Sequence, residues 1–363
     1  MLKRLHLTNF TVFADAEFEF GPGLNVLVGT NGTGKTHVLK AGYVMLWSSV
    51  EAFSERLEFF TDAQSKPDFR GLFDFKLKNV LQSQSFSSDD LIKFGSEPFR
   101  AGINIQGTFG VEKIDVSMDI NPPYTSIPAV KSFDILTQLS FANELTACVF
   151  IPAKEVLTSG WLFFLYNRRE IPIDETYPDL LRLLFGPPLR QPKPAHIVEK
   201  IARLIGGKVE EDNGRFYLAA PNQPRMEMNL VAEGMRKFAT LYKLLANGTL
   251  TPETTLFWDE PEANLNPALL KEMAAVLTDL AQAGFQVILA THSLFLLKEL
   301  HMLAQERKAP VRYFGLSAQP GEAVTVATAD NLELLPDIVA LDAELEQSDR
   351  FQRILDQADA DRS

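Results

Sequence analysis

Gly29-Thr30-Asn31-Gly32-Thr33-Gly34-Lys35-Thr36 satisfies the pattern G-x-x-x-x-G-K-[ST]. Backbone N–H groups can converge on phosphate oxygens only where side chains are absent at the closest approach, which the glycines arrange. Asn31, Gly32, Thr33 and Gly34 form the turn itself. Lys35 can reach the β- and γ-phosphates, and the Thr36 hydroxyl can ligate Mg²⁺. The pattern follows the apolar run Leu24-Asn25-Val26-Leu27-Val28 and opens a helical stretch from Thr36 to Trp47. That strand–loop–helix context is what the chemistry requires, with the helix dipole aimed at the anion.

Two further sites follow short buried strands. Thr255-Leu256-Phe257-Trp258 delivers Asp259 and Glu260. Asp259 suits a magnesium, held directly or through water, and Glu260 suits a general base acting on water. Paired carboxylates after a strand are also common as solvated turns, so the pair gains its meaning from the phosphate loop upstream. After the next strand, Phe285 to Ala290, come Thr291, His292 and Ser293. There His292 is placed to contact a γ-phosphate.

The elements that must carry these residues are legible in outline. Leu5 and Leu7, then Phe18 and Phe20, alternate as strands do. Gly21-Pro22-Gly23 is turn chemistry. Ile103 to Ile120 reads as strands, and Phe150-Ile151-Pro152 ends another. Four prolines between Gly186 and Pro194 mark a break, followed by a helix from Ala195 to Ile205 that Gly206-Gly207 stops. Asn213-Gly214 predicts a tight hairpin. Met235, Phe238, Tyr242 and Leu245 form a helical stripe. Asn266 and Pro267 suit the cap and first turn of a helix with Leu270, Met273, Leu277 and Leu280 on its apolar face. A Ser-rich stretch, Gln82 to Ser88, reads as a loop.

Composition narrows the function classes. The 363 residues, 46% hydrophobic and 23% charged, describe a globular chain of about two or three domain equivalents. Thirty-five basic against 47 acidic residues leave a net charge of −12, which excludes a general nucleic-acid coat but permits a local basic patch. The single cysteine, Cys148, allows neither an intramolecular disulfide nor a cysteine-based zinc site. No apolar stretch suits a signal peptide or a membrane span, so a cytoplasmic location without membrane association is expected.

Together, the Asn31-bearing loop, the Asp259-Glu260 pair, the turn Ala263-Asn264-Leu265-Asn266-Pro267 and His292 resemble the ABC-type ATPase head. More narrowly they resemble the SMC, RecF and OLD branch of bacterial AAA ATPases. The motifs cover about 80 residues strongly. The resemblance implies an α/β P-loop NTPase fold with a mixed, largely parallel sheet and a large inserted α+β lid. Residues 1–48 and 225–330 would form the nucleotide-binding lobe, 49–224 the lid, and 331–363 an acidic helical tail. It also implies ATP and Mg²⁺ as ligands, sandwiched between two heads of a homodimer or higher homo-oligomer. Lys35 and Asp259 stand 224 positions apart, more than an ABC transporter's nucleotide domain usually allows.

The family's signature motif matches Val231-Ala232-Glu233-Gly234-Met235-Arg236-Lys237, where the usual pattern is Leu-Ser-Gly-Gly-Gln. Gly234 is retained for nucleotide contact, but the serine is Ala232. Losing one charge-assisted hydrogen bond costs about 1.5–3 kcal/mol. Arg236 or Lys237 could compensate as a cation near the phosphate, or could be a solvated helix face. The family's metal-sensing glutamine could be Gln82, Gln84, Gln106 or Gln138. Asn264 and Asn266 would lie near the dimer seam, although Asn266 could simply cap its helix.

What the ATPase controls is less specified. The roughly 70 residues after His292 are too few for an appended nuclease of the OLD kind. Stand-alone heads of this type resemble ATPase subunits of anti-phage systems that work beside a separate nuclease or toxin effector. The alternatives are a RecF-like DNA-binding ATPase in repair and a non-hydrolysing ATP sensor or scaffold. Arg190, Lys193, Lys200, Arg203 and Lys208, opposed by Glu199 alone, form a basic stretch for nucleic acid, a partner or solvent. Arg168 and Arg169 are similarly open. Residues 330–363 carry ten acids and three arginines, as a solvated amphipathic helix or a partner-docking surface would.

Overall fold

The computed structural model describes residues 1–58, 69–81, 101–109, 112–120, 148–167, 173–319, 321–336, 346–347, 349–354 and 356–357. Gln82, Gln84, Gln138, Arg168 and Arg169 lie outside the described residues, as does the stretch from Gln82 to Ser88.

The nucleotide-side sheet has six strands. In spatial order they are β13 (Thr325–Ala329), β12 (Val311–Ser317), β3 (Leu24–Gly29), β11 (Gln286–Thr291), β10 (Thr255–Asp259) and β6 (Cys148–Ile151). All neighbours are parallel except β13, which returns antiparallel on β12. The continuous apolar runs of β3, β10 and β11 follow from burial on both faces. Val26, Val28, Leu256, Trp258, Val287 and Leu289 join one core. Leu27, Phe257, Ile288 and Ala290, one residue out of phase, join the other.

The first core is closed by α3 (Gly160–Asn167), α4 (Thr176–Leu184), α5 (Ala195–Ile205), α6 (Glu233–Ala246), α7 (Pro267–Gln282) and α8 (Leu294–Arg307). The second lies under α1 (Lys35–Glu58) and α2 (Phe69–Leu81). It is shared with an antiparallel sheet in the order β2 (Phe13–Glu19), β1 (Leu2–Phe10), β4 (Ala101–Phe109), β5 (Glu112–Ile120). Buried Gln286 stitches the two sheets. It accepts from the Leu2 amide at 2.8 Å and donates to the Leu2 and Gly21 carbonyls at 2.7 and 2.9 Å. A third sheet pairs β7 (Lys208–Asp212), β8 (Arg215–Ala219) and β9 (Met226–Glu227). Its first turn has Asn213 and Gly214 both at positive φ, as the sequence predicts.

Among the described residues, the stretch 49–224, expected as an inserted lid, contributes strands and helices to the same sheets and cores as the rest of the chain. β4 and β5 extend the N-terminal hairpin, β6 is the edge of the parallel sheet, and α4 and α5 pack in the same core as α6 and α7. The reason is burial: Val149 and Phe150 on β6 feed the two opposite cores, as successive residues of a strand with a core on each face do.

Candidate active site

The phosphate loop joins the C-terminal end of β3 to α1, at a central position of the parallel sheet, where α/β folds place their ligands. Two glycines show why nothing larger fits. A Cβ on Gly29 would lie 2.4 Å from the Leu316 carbonyl oxygen. Gly34 sits at φ +84°, and a Cβ there would come within 2.6 Å of Val12. Thr33 closes the turn through its hydroxyl, which donates to the Thr30 carbonyl at 2.8 Å. Lys35, 7% exposed, folds back onto the loop and donates to the Gly29 and Thr30 carbonyls at 2.8 and 2.9 Å. Burial draws its ammonium below the ordinary lysine range, against the pull of Glu260, Asp259 and Glu262. An anion at the loop would relieve that penalty.

The Thr36 hydroxyl donates to Asp259, at 2.9 Å to Oδ2 and 3.2 Å to Oδ1. The sequence places these two residues on different elements, and the fold brings them together. Burial pushes the Asp259 carboxyl up to about 6 despite the Thr36 bond, and Glu260 and Glu262 add to the rise. A cation beside it would reverse that. Two oxygen donors are too few for a closed metal cage but fit Mg²⁺, which keeps water and phosphate oxygens around it. The residues present therefore fit a magnesium–nucleotide pair.

Glu260 follows in a left-handed conformation, φ +45°. Its amide donates to the Ala290 carbonyl at 3.0 Å, and its own carbonyl accepts from the Ala263 amide at 3.1 Å. That carbonyl also accepts from the Lys237 ammonium at 2.7 Å. Lys237 is buried on α6, and desolvation draws it down to about 8, with the neighbouring carboxylates opposing. His292 lies across the site, its Nδ1 3.4 Å from Glu260 Oε1 and 3.5 Å from Glu262 Oε1. Glu262 Oε1 also accepts from the Thr291 hydroxyl at 2.6 Å and the His292 amide at 3.0 Å. Glu262 thus pins the end of β11 to the end of β10.

The signature segment forms the start of α6. Ala232 is its N-cap and makes no side-chain cap bond. A Cβ on Gly234 would lie 2.9 Å from Leu265 and 3.1 Å from the Asn264 carbonyl oxygen, so the glycine lets α6 meet the 264–269 turn. Asn264 donates to Glu233 at 2.8 Å, and Asn266 caps α7 by accepting the Leu269 amide at 2.9 Å. Arg236, expected as a cation near a phosphate, is bonded within its own chain in this head. It donates to the Val231 carbonyl at 2.8 Å, the Asn229 carbonyl at 2.9 Å and Glu155 at 2.8 Å. A guanidinium with three acceptors, one of them a buried carboxylate, is anchored inside its own chain. Gln106 lies in β4, opposite Arg4 of β1. Asn31 and Gly32 are exposed at the loop tip.

Sequence reasoning gave no role to Glu155 or Glu262, and it left Lys237 as an alternative to Arg236. One signal for Lys237 exists: with Leu241 and Leu244 it shares one buried face of α6, where a lysine needs a reason.

Comparisons with known proteins agree with this geometry. Residues 152–298 match a family model described as "AAA domain, putative AbiEii toxin, Type IV TA system". Residues 4–108 match a second AAA domain model. The DNA replication and repair protein RecF of Desulfitobacterium hafniense is 30% identical over 111 residues, 30% of each chain. RecF of Paenarthrobacter aurescens is 47% identical over 49 residues, 13% of this chain and 12% of that protein. The chain thus aligns with less than a third of these relatives' lengths. Among solved structures, an Smc head bound to the C-winged helix domain of ScpA is 16% identical, with TM-score 0.52 over 92% of this chain and 98% of that one. A Pyrococcus furiosus Smc head bound to the C-terminal domain of ScpA gives 13% identity and TM-score 0.53 over 96% and 99%. With the phosphate loop and the Asp259–Thr36 pair at the strand ends, the chain has the P-loop ATPase fold of the Smc heads and is similar in sequence to AAA domains and to RecF.

Proposed function

We propose that this chain binds ATP with Mg²⁺, hydrolyses it, and in the ATP-bound state pairs with a second copy of itself as a switch. The observation that carries the reading is the convergence of Thr36, Asp259, Glu260 and His292 beside a buried lysine. Lys35 exchanges its two loop carbonyls for β- and γ-phosphate oxygens, and Asn31, Gly32, Thr33 and Gly34 line the phosphates with backbone N–H groups. Thr36 and Asp259 hold the metal, which when bound neutralises charge on the β- and γ-phosphates. Glu260 orients the attacking water and accepts its proton. His292 keeps Nδ1 toward the two glutamates and offers its other nitrogen to a phosphate oxygen. Arg236 acts as a positioning residue that ties the signature segment to Glu155, and Gly234 contacts the nucleotide of the second head.

Glu260→Gln should slow ATP turnover about 10²–10⁴-fold while ATP affinity is retained. Equal turnover in the two proteins would remove Glu260 from the role.

The switch then acts on a separate effector, a nuclease or toxin subunit, in bacterial anti-phage defence, working in the cytoplasm. Support comes from the match of residues 152–298 to the AAA model described with a toxin system. The second reading, DNA binding of the RecF kind, draws on the RecF relatives and on exposed Arg190, Lys193, Arg203 and Lys208 around α5. It predicts ATP-dependent, salt-sensitive duplex binding that is lost in an Arg190→Ala, Lys193→Ala protein. Lys200 is less available, since it is paired with Asp279 at 2.7 Å.

A further inference from the structure

We infer that Lys237 is the positioning residue of the Glu260 turn, holding the backbone of the proposed base and coupling it to the helix that carries Gly234. The coupling rests on the reading of Glu260 as base; the holding of the turn does not. Glu260 has φ +45°, a conformation disfavoured for a residue with a Cβ. Such a residue persists where its surroundings over-determine it.

Three bonds hold it here. Its amide donates to Ala290 at 3.0 Å, and its carbonyl accepts from the Ala263 amide at 3.1 Å and the Lys237 ammonium at 2.7 Å. The lysine bond is the shortest, and it alone of the three carries a charge and reaches in from a helix. Lys237 is 3% exposed, and its ammonium faces the carboxylates of Glu262, Glu260, Glu233 and Asp259. A buried cation among four acids yet bonded to a backbone carbonyl fixes the path of the chain more than it balances charge.

The lysine also sits three residues after Gly234, one turn along α6. Arg236 fastens the start of that turn to the 229–231 segment. A shift of α6, as when a second head engages Gly234, therefore moves the Glu260 carbonyl through a single side chain. Contact at the signature segment and readiness of the base become one event.

The test begins without nucleotide. In Lys237→Met, hydrogen exchange at the Glu260 and Ala263 amides should speed up about 10- to 100-fold, and in Lys237→Arg, which keeps a charged donor, by clearly less. ATP turnover should fall by a similar factor in the Met protein with ATP affinity changed less than about twofold. In a Glu260→Gln background the same substitution should cause no further loss, because it acts through Glu260. If the Met protein fails to fold, Lys237→Gln, too short to reach the carbonyl, serves the same comparison. Unchanged exchange in a folded variant, or a turnover loss that adds to that of Glu260→Gln, would overturn the proposal. A wild type with no turnover, or a silent Glu260→Gln, would instead defeat the role of Glu260, and the exchange data would still decide whether Lys237 holds the turn.

Discussion

Asp259 is 8% exposed, and burial pushes its carboxyl up to about 6 although Thr36 donates to it. Its folded value lies above the unfolded one, so the native state holds the extra proton between about pH 4 and 6. Native stability accordingly falls as pH rises through that window, and the ionised residue remains a liability above it. Asp259→Asn should therefore raise the thermal midpoint of the nucleotide-free protein at pH 7 by roughly 1–2 °C, the shift that about 1 kcal/mol produces in a chain of this length. The gain should vanish below about pH 4, where both forms are neutral. A calorimetric pH series checks this, and a gain that persists in acid would point to packing instead. Lys35→Ala should weaken ATP binding at least ~10- to 100-fold, the worth of a lost charge-assisted contact. Titration with a fluorescent ATP analogue measures it. Lys35, Thr36, Asp259 and Glu260 were legible in the sequence because phosphate and metal chemistry fixes residue types at short spacings. The Arg236–Glu155 pair was not legible, because the two stand 81 positions apart and nothing local to either residue announces the pair.

Helix ends carry the next level of the site. Ala232 occupies the N-cap of α6 without a side-chain bond, while Asn266 and Pro267 cap and open α7. Ala232→Ser should stabilise the fold by about 0.5–1 kcal/mol through a new cap. If the signature segment meets a second head's nucleotide, the same change should also strengthen ATP-dependent pairing. Asn266→Ala should cost about 1 kcal/mol in urea unfolding with nucleotide affinity unchanged. Between them these variants separate capping from nucleotide contact. The α7 cap, the Asn213-Gly214 turn and the strand–loop–helix around Lys35 were readable because each depends on a few adjacent residues. The place of β6 was not. Cys148–Ile151 reads as a short apolar strand in any fold, and only its parallel register with β10 puts it in the nucleotide-side sheet. The same holds for β4, which joins β1 across about a hundred residues of chain.

At the scale of the molecule, Arg236 turns inward to Glu155 and Gly234 packs on the 264–269 turn within the head. Two heads facing each other would give that segment a nucleotide to contact and would give α6 a cause to move. The acidic balance of −12 opposes such pairing at low salt. The measurement that tests this most directly is the solution mass of the Glu260→Gln protein by light scattering, with and without ATP and Mg²⁺. The switch predicts a doubling that appears with ATP–Mg²⁺ and disappears in Lys35→Ala. A mass that ignores ATP, whether monomeric or already assembled, would contradict it.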